Sequence, residues 1–136
     1  MAQENSLVSI IINCRNGEQY LQECISSVLE QSYKQIEIIF FDNNSKDSTK
    51  KIIDSFDSPK IRYFRSNEDL SLGKARNKAL CEAMGDYVSF LDADDIYLKD
   101  KVLKQLNLMK ETNYEASFSG YYEINSLGKI INKIMP

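Results

Sequence analysis

The sequence predicts an α/β domain built around a mainly parallel sheet, with helices on both faces, a three-layer arrangement. Apolar runs of strand length alternate with amphipathic stretches of helical period. The first run, Leu7 to Cys14, is β-branched and nearly continuous, as expected of a strand buried on both faces. Successive strand–helix units then follow along the whole chain, a pattern that calls for parallel pairing with crossover helices.

Each element has its own signal. Asn16 and Gly17 break the first strand, and the apolar residues Tyr20, Leu21, Cys24, Ile25, Val28 and Leu29 form a helical stripe with Asn16 as its expected cap. The second strand is Ile36 to Phe41, ending on the polar run Asp42 to Thr49. A short helix, Ser48 to Phe56, carries Ile52, Ile53 and Phe56 and is closed off by Pro59. Ile61 to Phe64 is a third strand. After the loop Arg65 to Leu72 comes a helix with Ala75, Ala79, Leu80, Ala83 and Met84 on one side. Gly85 and Asp86 turn the chain into a strand, Tyr87 to Leu91, that stops at Asp92-Ala93-Asp94-Asp95. The next helix carries Leu98, Val102, Leu103, Leu106 and Met109. The tail reads as a β pair, Ala116 to Ile124 and Lys129 to Ile134, around a turn at Asn125 to Gly128.

Composition narrows the chemistry. The chain has 136 residues, 43% hydrophobic and 27% charged, which suits one globular domain over residues 1–136. A net charge of −3 disfavours nucleic-acid binding by phosphate neutralisation. There are 0 histidines, so a Ser-His-Asp or Cys-His nucleophile, a His-ligated zinc and an imidazole base are all excluded. Cys14, Cys24 and Cys81 are widely spaced in apolar stretches and read as small buried side chains in a reducing compartment. The N-terminus lacks the basic region of a signal peptide, and Leu7 to Ile12 is too short to span a bilayer. A cytoplasmic location is expected.

In such sheets ligands bind beyond the carboxyl ends of the strands. That rule selects Asn13 to Asn16, Asp42 to Ser45, Arg65 to Arg76 and Asp92 to Asp95. No glycine-rich phosphate loop is present, which argues against a P-loop NTPase and a standard dinucleotide-binding dehydrogenase. In extended chain Asp92 and Asp94 face the same way, and carboxylates so close favour a hard divalent cation, Mg²⁺ or Mn²⁺. The same run can be a polar turn in which Asp94 or Asp95 caps the next helix. Asp42-Asn43-Asn44-Ser45 can read a base edge or a ribose hydroxyl, or can be an Asx-type turn that caps the following helix. Ser71 to Asn77 offers Gly73, Lys74 and Arg76 to a phosphate, or is a solvated helix start.

Taken together and in order, several stretches resemble family 2 glycosyltransferases. They are Val8 to Asn13, Asn16-Gly17, Tyr20-Leu21, Ile25 to Tyr33, Glu37 to Ile39, Asp42 to Thr49, Gly73 to Asn77, Gly85 to Tyr87 and Leu91 to Asp95. The resemblance covers nearly the whole chain and corresponds to the nucleotide-sugar-binding half of such enzymes. It implies a GT-A type, Rossmann-like fold that binds a nucleoside-diphospho-sugar and a divalent metal and transfers the sugar with inversion. By position, Asp92 and Asp94 match the D-x-D and Asp95 the acid that follows it, with Asp94 first for metal contact. Asp42 and Asn43 match paired acids that engage the nucleoside, Asn13 and Arg15 match residues lining the base pocket, and Arg76 is placed with them as a nucleotide-binding residue.

One departure is chemical. The second acid of that pair is Asn43 here, which accepts a base N–H without charge and so more weakly. The expected donor is a UDP- or dTDP-sugar, with a cytidine nucleotide open because an amide can also donate. The expected acceptor is a glycan or lipid, in polysaccharide or cell-envelope synthesis, with the full-length protein at the inner face of the membrane. The catalytic base of such enzymes belongs to an acceptor half, expected beyond Pro136. The competing expectation is a non-catalytic α/β module that binds a nucleotide or a metal.

Overall fold

The β-branched run near the N-terminus forms β1 (Val8–Cys14), an inner strand of a sheet in a computed structural model that describes residues 5–135. In chain order there follow α1 (Leu21–Leu29), β2 (Ile36–Asn43), α2 (Thr49–Ser55), β3 (Ile61–Ser66), α3 (Leu72–Cys81), β4 (Tyr87–Asp92), α4 (Lys101–Thr112), β5 (Tyr121–Ile124) and β6 (Ile130–Ile134). The first four strands pair in the order β3-β2-β1-β4, all parallel, as the strand–helix alternation predicts. The described residues divide into two compact units, one up to Val102 and one from Leu103 onward.

The strand order dictates the layers. From β1 through β3 the chain steps one way across the sheet, and from β3 to β4 it steps back past β1. Right-handed crossovers then put α1 and α2 on one face and α3 on the other. The packing agrees, with α1 beside α2 and α3 against β1 and β2. On the α3 face, Ile11, Ile39 and Phe41 meet Ala75 and Ala79, with Phe64, Leu70 and Ala83 around them. Ile10, Ile12, Ile38 and Phe40 alternate with these, point to the opposite face, and are fully buried as well. The central strands are therefore apolar on both faces, whereas β4 at the edge leaves Val88 and Phe90 exposed.

At the amino end of the sheet lies a buried charge for which the sequence offers no signal. The Glu37 carboxylate accepts from Ser9 Oγ at 2.6 Å, the Met84 amide at 2.7 Å and Arg62 Nη1 at 3.1 Å. Burial pushes its carboxyl up, but the hydrogen bonds and the Arg62 charge together outweigh burial and hold it below its ordinary value. Folding therefore binds this proton less tightly than the unfolded chain does. The resulting stabilisation is present above the unfolded value of about 4.3 and is lost as pH falls through the folded one. Glu37→Gln is expected to cost about 1.5–3 kcal/mol at neutral pH. In urea titrations the gap from the parent chain should narrow steadily below about pH 4.

Several local expectations are corrected. Asn16 does not cap α1: it takes φ 54°, its side chain accepts from the Lys46 amide at 2.8 Å, and the helix starts later, at Leu21, leaving Tyr20 exposed. Leu80 is exposed, because α3 turns its alanines to the sheet and this longer side chain lies off that face, and Met84 is exposed beyond the end of the helix at Cys81. Cys81 is exposed, while Cys14 and Cys24 are buried as read. Leu98 precedes α4 and is exposed, and residues 116–120 lie outside β5.

From Leu103 onward the chain holds most of α4 and the β5–β6 hairpin. The hairpin turn is closed by Asn125, whose Oδ1 accepts from the amides of Leu127 and Lys129, and Gly128 takes the positive φ of 76° that this turn needs.

Candidate functional site

The strand order reverses between β1 and β4, and in open α/β sheets ligands bind at the carboxyl ends of the strands at such a reversal. Register sets the residues there side by side: Asn13 lies opposite Asp92, Cys14 opposite Asp42, Asp42 opposite Arg65, and Asn43 opposite Ser66. Alternation sorts them by face. Asn13, Asn43 and Asp92 continue the series of Ile11, Phe41 and Phe90 on the α3 face, and Asp42 continues Phe40 on the other.

Asp42 is fully buried. Its Oδ1 accepts from the Ser45 amide at 2.7 Å, and its Oδ2 from Tyr63 Oη at 2.6 Å and Arg65 Nη1 at 3.0 Å. Arg65 also donates to the Ser45 carbonyl at 2.8 Å. The Asx-type turn expected here is therefore present, though Asp47 rather than Asp42 meets the first turn of α2, accepting from the Thr49 amide at 3.0 Å. These bonds extend β2 and β3 two residues past their apolar runs. Burial, and then the bond to Asp42, pushes the Tyr63 phenol up to about 12.

Asn43 is also buried and both ends of its amide are taken. Nδ2 donates to the Leu70 carbonyl at 2.8 Å and Oδ1 accepts from the Leu70 amide at 2.9 Å. The preceding residue of the same loop, Asp69, accepts from Arg15 Nη2 at 2.5 Å and from Asn44 Nδ2 at 2.8 Å. The loop between β3 and α3 is thus fastened to the ends of β1 and β2. Position alone selects the loop; Asn44, one of the residues that fasten it, takes the positive φ of 60°.

On the β4 side, Arg76 Nη2 donates to Asp92 Oδ1 at 2.8 Å, with its guanidinium 5.9 Å from the centre of the Phe90 ring. The Asp95 amide bonds back to the Asp92 carbonyl at 3.0 Å, which makes residues 92–95 a tight turn. α4 begins only at Lys101, so neither Asp94 nor Asp95 caps it. Burial, then the charges of Asp94 and Asp92, pushes the Asp95 carboxyl up. Among the described residues no three acidic or thiol side chains converge as a ready-made cation cage. Lys74 and Gly73 are exposed at the start of α3, and a side chain at position 73 would meet open space.

Asn13 is different from its neighbours: its Nδ2 is buried and has no hydrogen-bond partner. The nearby thiols are inert as nucleophiles, since burial pushes Cys14 up to about 11 and Cys24 up to about 12. Among the described residues no helix is long and apolar enough to cross a membrane.

Known proteins resemble this chain in sequence and fold. The model of the family "Glycosyl transferase family 2" matches residues 9–134. TuaG of Bacillus subtilis, named as a putative teichuronic acid biosynthesis glycosyltransferase, is 37% identical over 131 residues, 95% of this chain and 52% of that protein. WfgD of Escherichia coli, a UDP-Glc:alpha-D-GlcNAc-diphosphoundecaprenol beta-1,3-glucosyltransferase, is 33% identical over 132 residues, 97% of this chain and 52% of that protein. The crystal structure of residues 1–349 of S. aureus TarS in complex with UDP-GlcNAc superposes with a TM-score of 0.75 at 26% identity, covering 79% of this chain and 32% of that one. The chain spans about half the length of TuaG and WfgD. With the four-strand parallel sheet, the acidic turn after β4 and a family match over nearly its whole length, this chain belongs to glycosyltransferase family 2.

Proposed function

We propose that the domain binds a nucleoside-diphospho-sugar and a divalent cation, Mg²⁺ or Mn²⁺, at the carboxyl edge of its sheet. In this reading it is the donor-binding portion of an inverting glycosyltransferase that builds polysaccharide or cell-envelope glycan on a glycan or lipid acceptor, in the cytoplasm at the inner face of the membrane. The observation that carries the reading is Asn13. An unpaired buried amide donor costs about 1–3 kcal/mol, and a ligand bound at this edge would satisfy it. It lies at the strand-order reversal, directly opposite Asp92.

The residues fit a divalent cation of the oxygen-ligated kind. Asp92, Asp94 and Asp95 crowd like charges in one turn, and Asp95 already has its carboxyl raised by burial and by the other two. Mg²⁺ sites commonly use one or two carboxylates and take their remaining ligands from phosphate and water, so no closed protein cage is required. Asp94 is the first contact, with Asp92 and Asp95 beside it. When bound, the cation neutralises charge that gathers on the departing nucleoside diphosphate.

The chain's own residues divide the remaining work. Asn13 and Arg15 line the base side, and Asp42 holds the turn that carries Asn43 and Asn44. Arg76 holds Asp92 in place and faces the diphosphate. UDP- and dTDP-sugars are the donors this reading favours, and the UDP-GlcNAc complex of TarS supports a uridine nucleotide.

Calorimetry tests the reading. UDP or dTDP should bind about tenfold more tightly with Mn²⁺ than without, and Asp94→Asn should remove that gain. If neither nucleotide responds to the metal and Asp94→Asn changes nothing, the domain is a non-catalytic α/β module.

A further inference from the structure

A nucleoside edge needs a group that reads the base, and position 43 is not free to do so. One N–H and one lone pair of the Asn43 amide are held by the Leu70 backbone, which fixes the side chain's direction, and burial shuts off most of what remains. An aspartate at 43 could still accept from the Leu70 amide but would face the Leu70 carbonyl with a second negative oxygen. The asparagine is therefore explained by the clasp: only an amide pairs with both backbone groups of one residue.

The clasp delivers an acid to the same edge. Asp69, one residue before Leu70, is half exposed, and its carboxylate is fixed from two sides by Arg15 beyond β1 and Asn44 beyond β2. Each donor uses one lone pair on a different oxygen, so each oxygen keeps a second. The paired Arg15 charge also offsets the repulsion that a bare carboxylate would exert on a diphosphate. The result is an oriented, charge-balanced acceptor at the place where the base is proposed to lie.

We infer that Asp69 is the base-reading residue of this domain and Asn43 its positioning residue, which together select nucleotides whose base carries an imino N–H. Uracil, thymine and guanine present such a hydrogen; cytosine and adenine present a bare ring nitrogen that a carboxylate repels. The inference rests on nucleotide binding at this edge, as proposed above, and adds the class of base and the side chain that chooses it.

The test is a set of affinities measured on the whole chain by calorimetry with Mn²⁺ and UDP, dTDP, GDP or CDP. The parent chain should favour UDP or dTDP over CDP, and the GDP arm tells whether a purine fits. Asp69→Asn should lower the UDP-to-CDP affinity ratio by about tenfold, because an amide accepts more weakly and can also donate to cytosine. Asn43→Asp should weaken UDP binding by breaking the clasp, whereas a residue that reads the base directly would bind UDP more tightly as a carboxylate. Circular dichroism on each variant confirms folding. A UDP-to-CDP ratio unchanged by Asp69→Asn, or tighter UDP binding by Asn43→Asp, overturns the inference while nucleotide binding stands. A parent chain that binds none of the four removes the proposed function, and the inference with it.

Discussion

Replacing Asp42 with alanine should destabilise the domain by about 3–5 kcal/mol, a large part of the margin by which any domain of this size is folded. The carboxylate is fully buried and three groups converge on it: the Ser45 amide, the Tyr63 hydroxyl and the Arg65 guanidinium. Truncation leaves all three facing a void. Arg65 and Tyr63 stand partly in solvent and recover some hydration, but the amide of buried Ser45 has no such recourse. Asp42→Asn keeps the shape and an acceptor for Ser45 but turns an amide group toward Arg65, and should cost less, about 2 kcal/mol. Urea denaturation checks both. A shift of the midpoint with unchanged slope is expected for each variant, with alanine the further displaced. Equal stability of parent and alanine variant would mean that this network does not hold the carboxyl edge.

Gly85→Ala should be comparably severe for a steric reason. A methyl group at position 85 would lie 2.6 Å from Ser9 Oγ, 2.7 Å from the Ser9 amide nitrogen and 2.8 Å from the Leu7 carbonyl oxygen. The hydroxyl could rotate away, but the other two atoms belong to the backbone at the start of β1. That strand is paired on both sides, by β2 and by β4, so moving it disturbs the whole sheet. The Gly85 amide also donates to Ser9 Oγ at 2.8 Å, which ties the turn to the Glu37 cluster. A loss of about 3 kcal/mol is expected. Gly73→Ala is the matched control. Its new methyl group would meet nothing within 4 Å, and in the first turn of α3 it should stabilise by about 0.5–1 kcal/mol. The two glycines look alike in the sequence, and opposite signs in thermal melts would separate the one that packs from the one that does not.

The parallel sheet was legible because its signal is local and redundant. Val8–Cys14 and Ile36–Asn43 are buried almost throughout, and their middles, Ile10 to Ile12 and Ile38 to Phe41, are apolar without a break, as strands covered on both faces require. The proposed binding edge follows from the same pattern. The carboxyl-end rule needs only the ends of the strands, and it selects Asn13, Asp42, Arg76 and Asp92, which the register and the Arg76–Asp92 bond bring to one edge.

Misreadings arose where a residue's partner is distant in sequence. Asn16 precedes a helical stripe as a cap should, yet its side chain is drawn to Lys46, thirty positions on. Leu80 and Met84 fit the helical period, but α3 packs its small alanines on the sheet, which leaves Leu80 outside, and it ends at Cys81, before Met84. Asp94 and Asp95 could have been caps until the start of α4 placed them well ahead of it.

The opening expectation, an α/β domain with a mainly parallel sheet, was written into residue order by burial: hydrophobic period and turn residues act between near neighbours. The roles of individual polar residues were not. Whether Asp42 is a buried support, Asn43 a clasp and Asp69 an oriented acceptor depends on which strand lies beside which. Hydrogen bonds reach only about 3 Å, so their partners exist only once β1, β2 and β3 have set their ends together.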